Sequence, residues 1–222
     1  MGKCQWFAVL ALVIVCCGCE AQEAYTAEAG TAKPVVRTAT LAVVGDIMVH
    51  DYQYEEAYDP ADGTYDFMHN FQDMKPYLQG RDIVIGNLEL TFGGPDQPYA
   101  SFPCFNTPDS FLDAVKDAGF QILTTANNHC MDTGQAGLIR TLDLLDAYGI
   151  DHVGTYRSQQ ERETILVKEV QGMTFAFVSA TYGTNGIPVP QPYLVSEINE
   201  TFLADIAKAQ ELADVVVVLP HM

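Results

Sequence analysis

The strongest constraint on this chain is its alternation of short, β-branched apolar runs with helical patterns. "TLAVVGD" (40–46), "DIVIGNLEL" (82–90), "FQILTTAN" (120–127), "IDHVGT" (150–155) and "ADVVVVLPH" (213–221) have the length and composition of buried strands. Helical spacing fills the intervals. In "FMHNFQDMKPYL", Phe67, Phe71, Met74 and Leu78 share one helical face, although Pro76 is ill-suited to a helix interior. Thr107 and Pro108 supply a cap and a first helical position, Phe111, Leu112 and Val115 an apolar face, and Gly119 a stop. "GQAGLIRTLDLLDAYG" turns Leu138, Leu142 and Leu145 inward and ends at Gly149, while Asn199 caps the last helix. "TILVKEVQGMTFAFVSATYG" is two strands joined at Gln171–Gly172, a hairpin. Strand, helix, strand is the βαβ rhythm of an α/β fold: a mostly parallel sheet covered on both faces, with an antiparallel hairpin added.

In such sheets ligands bind beyond the carboxyl ends of the strands. The first strand ends at Asp46, the second at Asn87 and Glu89, the third at Asn127, Asn128 and His129, and the last at His221. Each residue has a plainer reading when taken alone. Asp46 after Gly45 suits a turn, Asn127 an Asx turn, and Asp132 the cap of the helix that begins near Gly134. A lone histidine is more often a hydrogen-bonded core residue than a catalyst. Their coincidence at matching strand ends is what defines a site. Carboxylate, amide and imidazole donors suit Mn, Fe, Zn or Mg, not a thiolate site. Such an ion polarises a phosphoryl or carbonyl oxygen and acidifies water. Arg157, after the fourth strand, is either a solvated surface arginine or a substrate contact, and Asn127 is a second candidate contact.

The two ends carry separate signals. "MGKCQWFAVLALVIVCCGCEAQ" has a basic start, a short apolar middle and a small-residue exit, the layout of a secretory signal. Gly18-Cys19 fits lipoprotein processing, which predicts a signal over residues 1–18 and a lipid on Cys19; an uncleaved anchor is the alternative. Both readings place the remainder outside the cytoplasmic membrane. Residues 19–38 read as a flexible linker and 39–222 as the folded domain. Cys104 and Cys130, in loops expected on the same rim, are either a disulfide or two free thiols. The strand before Pro220, His221 and Met222 leaves the predicted sheet unfinished, so a longer protein is expected. A formal charge of −18 (29 acidic against 11 basic residues) argues against nucleic acid as a partner.

"VVGDIM", "DIVIGNLE", the run from Thr107 to Ile150 containing "TTANNHCMDTGQAGL", "HVGTYRS" and "VVVVLPH" resemble, in order and spacing, the bacterial capsule-synthesis CapA family. This is the poly-γ-glutamate capsule domain, a branch of the calcineurin-like metallophosphatases. The resemblance spans about Thr40 to His221, and its most specific piece is Asn127-Asn128-His129 with Asp132 and Gly134. It implies a metallophosphatase-like layered sandwich, incomplete at its C-terminus. It also implies divalent metal held by Asp46, Glu89 with Asn87 beside it, Asn128 and His221, and a catalytic His129 acting on the leaving group. Implied partners are an acidic poly-γ-glutamate-like polymer or its precursor, the membrane through the lipid anchor, and other capsule-synthesis proteins. The chain departs from the superfamily in three places. Asp46-Ile47-Met48 replaces Asp-x-His, Asn87-Leu88-Glu89 replaces Gly-Asp-x-x-Asp, and a final Gly-His-x-His would fall beyond Met222. A non-enzymatic surface binding protein and a calcineurin-like phosphodiesterase are the alternative functions.

Overall fold

The computed structural model describes residues 6–9 and 36–222. Trp6–Val9 falls within the expected signal, while Cys19, the other signal residues and most of the linker lie outside the described residues. In chain order the elements are β1 (Trp6–Val9), β2 (Leu41–Ile47), α1 (Asp51–Ala57), β3 (Tyr58–Asp59), β4 (Thr64–Tyr65), a 3-10 turn (Met68–Phe71), α2 (Lys75–Leu78), β5 (Ile83–Leu88) and α3 (Phe111–Ala118). There follow β6 (Ile122–Thr124), α4 (Gly134–Ala147), β7 (Asp151–Val153), α5 (Gln159–Arg162), β8 (Leu166–Val170), β9 (Met173–Thr181), α6 (Glu200–Leu212) and β10 (Val215–His221).

The strands form two four-stranded sheets, in the orders β2-β5-β6-β7 and β1-β10-β9-β8, plus the small β3-β4 ribbon. Pairing is parallel within both main sheets except for the β8-β9 hairpin. The expected mostly parallel α/β sandwich with one hairpin is therefore observed, divided between two sheets rather than gathered in one. Period-two alternation explains the layering. Ile83 and Ile85 of β5 meet Phe175 and Phe177 of β9 and Val217 and Leu219 of β10 between the sheets. The alternate residues face outward: Val84 and Leu88 into the core shared with α3 and α4, and Ala176, Val178, Val216 and Val218 into that shared with α6. Each sheet thus has one face on the other sheet and one under helices. No helix among the described residues is long and apolar enough to cross a membrane.

Several boundaries follow the sequence signals directly. Gly119 (φ 102°) and Gly149 (φ 62°) take the left-handed conformation that stops α3 and α4. Gln171 and Gly172 both have positive φ, as a tight hairpin turn matched to strand twist demands. Asn199 accepts from the Thr201 and Phe202 main-chain N–H groups and caps α6.

Two expectations are corrected. The stretch from Phe67 to Leu78 is not one amphipathic helix. Pro76, which lacks an N–H, falls in the first turn of a new short helix, α2, and Met74 between the pieces is 40% exposed. Thr107 does not cap α3 either. The residues from Pro108 to Ser110 accept tight i→i+3 bonds, the helix proper starts at Phe111, and the Thr107 hydroxyl accepts from Tyr54 Oη (3.2 Å).

Candidate metal centre

The site lies at the carboxyl ends of β2, β5, β6 and β10, where both sheets contribute. Asp46 is aimed by an irregularity in β2. Val43 pairs with Ile85 but Asp46 with Asn87, so β2 carries one extra residue there, a bulge of the kind that re-aims a side chain beside a site. Glu89 follows β5 directly and is buried. His221 is the last residue of β10, paired with Thr181 of β9. Ligand atoms of Asp46, Glu89 and His221 all lie within 4.8 Å of one another. His221 Nδ1 is 3.8 Å from Asp46 Oδ1, and its Nε2 is 3.8 Å from Glu89 Oε1.

The electrostatics are those of crowded acid groups short of a counter-charge. Burial first, and the neighbouring Asp46 carboxylate second, push Glu89 up to about 7. Its Oε2 is buried without a hydrogen-bond partner. Burial likewise pushes His221 below the ordinary histidine range, against the pull of Asp46. An orphaned carboxylate oxygen beside a second carboxylate and an imidazole is a donor set that fits a divalent cation.

The third-strand segment supplies the surroundings. Asn128 Oδ1 sits 2.7 Å from His221 Nε2, and Asn128 Nδ2 donates to Asn185 Oδ1 at 3.2 Å. His129 is buried, with Nε2 4.0 Å from Glu89 Oε1 and Nδ1 2.8 Å from Asp132 Oδ2. Asp132 is therefore not the cap of α4. Its Oδ2 also accepts from the Phe105 main-chain N–H (2.7 Å), and Thr133 is the residue that precedes the helix. The Phe105 ring meets the His129 ring edge-on at 4.7 Å between centroids. Asn87 is at the cluster too, donating from Nδ2 to Asp46 Oδ1 at 2.8 Å. Alongside lies a cavity of about 150 Å³ reached by Asp46, Asn87, Thr124 and His221.

The two candidate substrate contacts lie apart from this opening. Asn127 is fully buried and its amide is engaged by the Leu88 carbonyl, Asn87 and the His129 N–H, an interior role. The Arg157 guanidinium is held by Asp143 and Asp146 of α4 and by Glu161, so its charge is neutralised on the flank of that helix. Cys104 is exposed, Cys130 is buried, and both are free thiols, so the disulfide alternative does not hold. Burial pushes the Cys130 thiol up to about 12, which keeps it protonated and inert. Two neighbours of the centre went unseen in the sequence. Asn185, at φ 52°, belongs to the loop after β9, and Tyr182 stacks on the His221 ring at 6.2 Å. Gly183, Asn185-Gly186 and Pro188, Pro190 and Pro192 mark that stretch as a loop, but no strand-end position points to a site there.

Residues 40–222 match the family profile described as bacterial capsule synthesis protein PGA_cap. The chain is 29% identical over 197 residues to the capsule biosynthesis protein CapA of Bacillus anthracis, covering 82% of this chain and 46% of that protein. It is 29% identical over 184 residues to the PGA biosynthesis protein CapA of Bacillus subtilis, covering 80% and 47%. An uncharacterized protein of Sinorhizobium fredii, y4sH, is 29% identical over 162 residues, covering 70% and 33%. The chain thus spans about half the length of the two CapA relatives. With the profile matched from the start of β2 through the end of β10, the chain belongs to the bacterial capsule synthesis PGA_cap family.

Proposed function

We propose that this chain is a membrane-tethered, extracytoplasmic CapA-like protein that takes part in making, exporting or anchoring a poly-γ-glutamate-type capsule polymer. Its chemistry in this reading is metal-assisted hydrolysis or transfer at an acyl or phosphoryl centre. The observation that carries the reading is the convergence of Asp46, Glu89 and His221 within 4.8 Å, in a family described by capsule synthesis. Mn, Fe, Zn or Mg held by these three, with Asn128 adjacent, would supply Lewis acidity and acidify water. The remaining work falls to the chain. His129 stands 4.0 Å from Glu89 with its ring fixed by Asp132, placed to hand a proton to a leaving group. Phe105 packs on that ring and keeps water from its flank. A formal charge of −18 repels an acidic polymer overall, so contact needs a locally basic or metal-lined groove.

Elemental analysis and turnover assays on a γ-glutamyl polymer and on an aryl phosphate ester test this. Bound Mn, Fe or Zn, lost in Glu89→Gln, with turnover lost in His129→Ala, is the expected result. Protein without metal, indifferent to both substitutions, overturns the enzymatic reading. That outcome favours the second one, a surface binding protein on a fold that has lost its metals, for which Met48 in place of the superfamily's first-strand histidine speaks. Tethering is tested separately: Cys19→Ser is expected to move the protein from the membrane fraction to the soluble one.

A further inference from the structure

Main-chain groups dictate which way the amides around the centre point. Asn127 Nδ2 donates to the Leu88 carbonyl at 2.7 Å, and Asn127 Oδ1 accepts from the His129 N–H at 3.1 Å. A carbonyl only accepts and an N–H only donates, so this amide has one possible orientation. Asn127 Nδ2 also donates to Asn87 Oδ1 at 3.2 Å, and the Thr124 hydroxyl donates to the same oxygen at 2.9 Å. The oxygen of Asn87 is thereby turned into the protein. What Asn87 presents to the centre is its Nδ2, 2.8 Å from Asp46 Oδ1 and 3.2 Å from His221 Nδ1.

An amide nitrogen has no lone pair to offer a cation, and its hydrogens carry positive charge. We infer that Asn87 is a fixed hydrogen-bond donor rather than a ligand, and that it limits the centre to a single divalent cation. This rests on the metal-centre reading above. The nearby Asp132 is already engaged by Phe105 and His129. Asn87 puts an NH2 group between Asp46 and His221, where its hydrogens repel a second cation and its nitrogen offers no lone pair. A second consequence concerns His221. With Nδ1 accepting from Asn87, the ring proton of the metal-free protein sits on Nε2 and is donated to Asn128 Oδ1, 2.7 Å away. Asn185, accepting from Asn128 Nδ2, holds that oxygen toward the ring.

Calorimetric titration of the metal-free chain with Mn²⁺, with electron paramagnetic resonance of the loaded forms, tests the count. One equivalent is expected in the wild type and in Asn87→Ala. Two equivalents with a spin-coupled signal are expected in Asn87→Asp, where an acceptor replaces the donor. Two equivalents in the wild type, one in Asn87→Asp, or loss of binding in Asn87→Ala overturns the inference and leaves the metal reading standing. No Mn²⁺ in any form overturns the metal reading and the count together. The orientation of Asn87 is then judged without metal, from imidazole ¹⁵N shifts of the wild type. The Nε2–H tautomer of His221 is expected, and the Nδ1–H tautomer overturns the assignment.

Discussion

At the scale of single residues, orientation matters more than identity. An asparagine is donor and acceptor in one side chain, and nothing in "TTANNH" says which end faces a ligand; here two main-chain groups decide it for Asn127, and Asn127 decides it for Asn87. Asn127→Ala leaves the Leu88 carbonyl and the His129 N–H buried without partners. Thermal and denaturant unfolding should show a loss of about 3 kcal/mol, the cost of orphaning two buried polar groups. Asp82 acts at the other end of the sandwich. Its carboxylate accepts from Gln171 Nε2 (2.7 Å) and from the Thr40 N–H and hydroxyl (2.7 Å each), and these bonds lower its pKa to about 2 from an ordinary 3.8. The folded form therefore gains fully from this group above pH 4, and the gain disappears as pH falls through 2. Melting curves between pH 5 and 2 should show a smaller pH dependence for Asp82→Asn than for the wild type; parallel curves would contradict this.

At the scale of elements, most of what was legible came from periodicity and caps. Strands β2, β5, β6, β7 and β10, helices α3, α4 and α6, and the β8-β9 hairpin declare themselves through apolar runs, 3.6 spacing and the signals at Gly119, Gly149, Asn199 and Gln171–Gly172. Asn199→Ala should cost about 1 kcal/mol of stability, since it frees the Thr201 and Phe202 N–H groups at an exposed helix start; an unchanged melting temperature would rule this out. The strand-end rule likewise picks out Asp46, Glu89, His129 and His221, which the fold gathers at one rim. Other features could not be read this way. Apolar alternation marks a strand as buried on both faces without saying whether a helix or another sheet covers each one, so the division into two sheets was hidden. The extra residue in β2 was equally invisible, because Val44 and Gly45 continue an ordinary strand pattern. Asp132 misled for a related reason: an aspartate two residues before a helix is chemically a cap, and only the fold brings His129 and Phe105 to it.

At the scale of the molecule, the candidate metal centre is a joint between sheets. Asp46, Asn87 and Glu89 come from the β2-β5 side, His221 from β10, and Asn185 from the loop after β9. The opposite mouth of the sandwich is fastened as well, by Asp82 to Gln171 and by Asp151 to Lys168 (2.6 Å). Between the two mouths lies the apolar seam of Ile83, Ile85, Phe175, Phe177, Val217 and Leu219. Phe177→Ala should destabilise the fold by about 3–5 kcal/mol through the cavity it leaves. If the centre accepts Mn²⁺, the same variant, still folded, should bind it more weakly although no ligand has changed; equal affinity would show that the sheets hold their spacing without that ring. The seam and the centre therefore work as the beam and the tip of a caliper. The apolar side chains set the gap, the polar ones read it, and an error in thickness anywhere along the beam is registered at the tip.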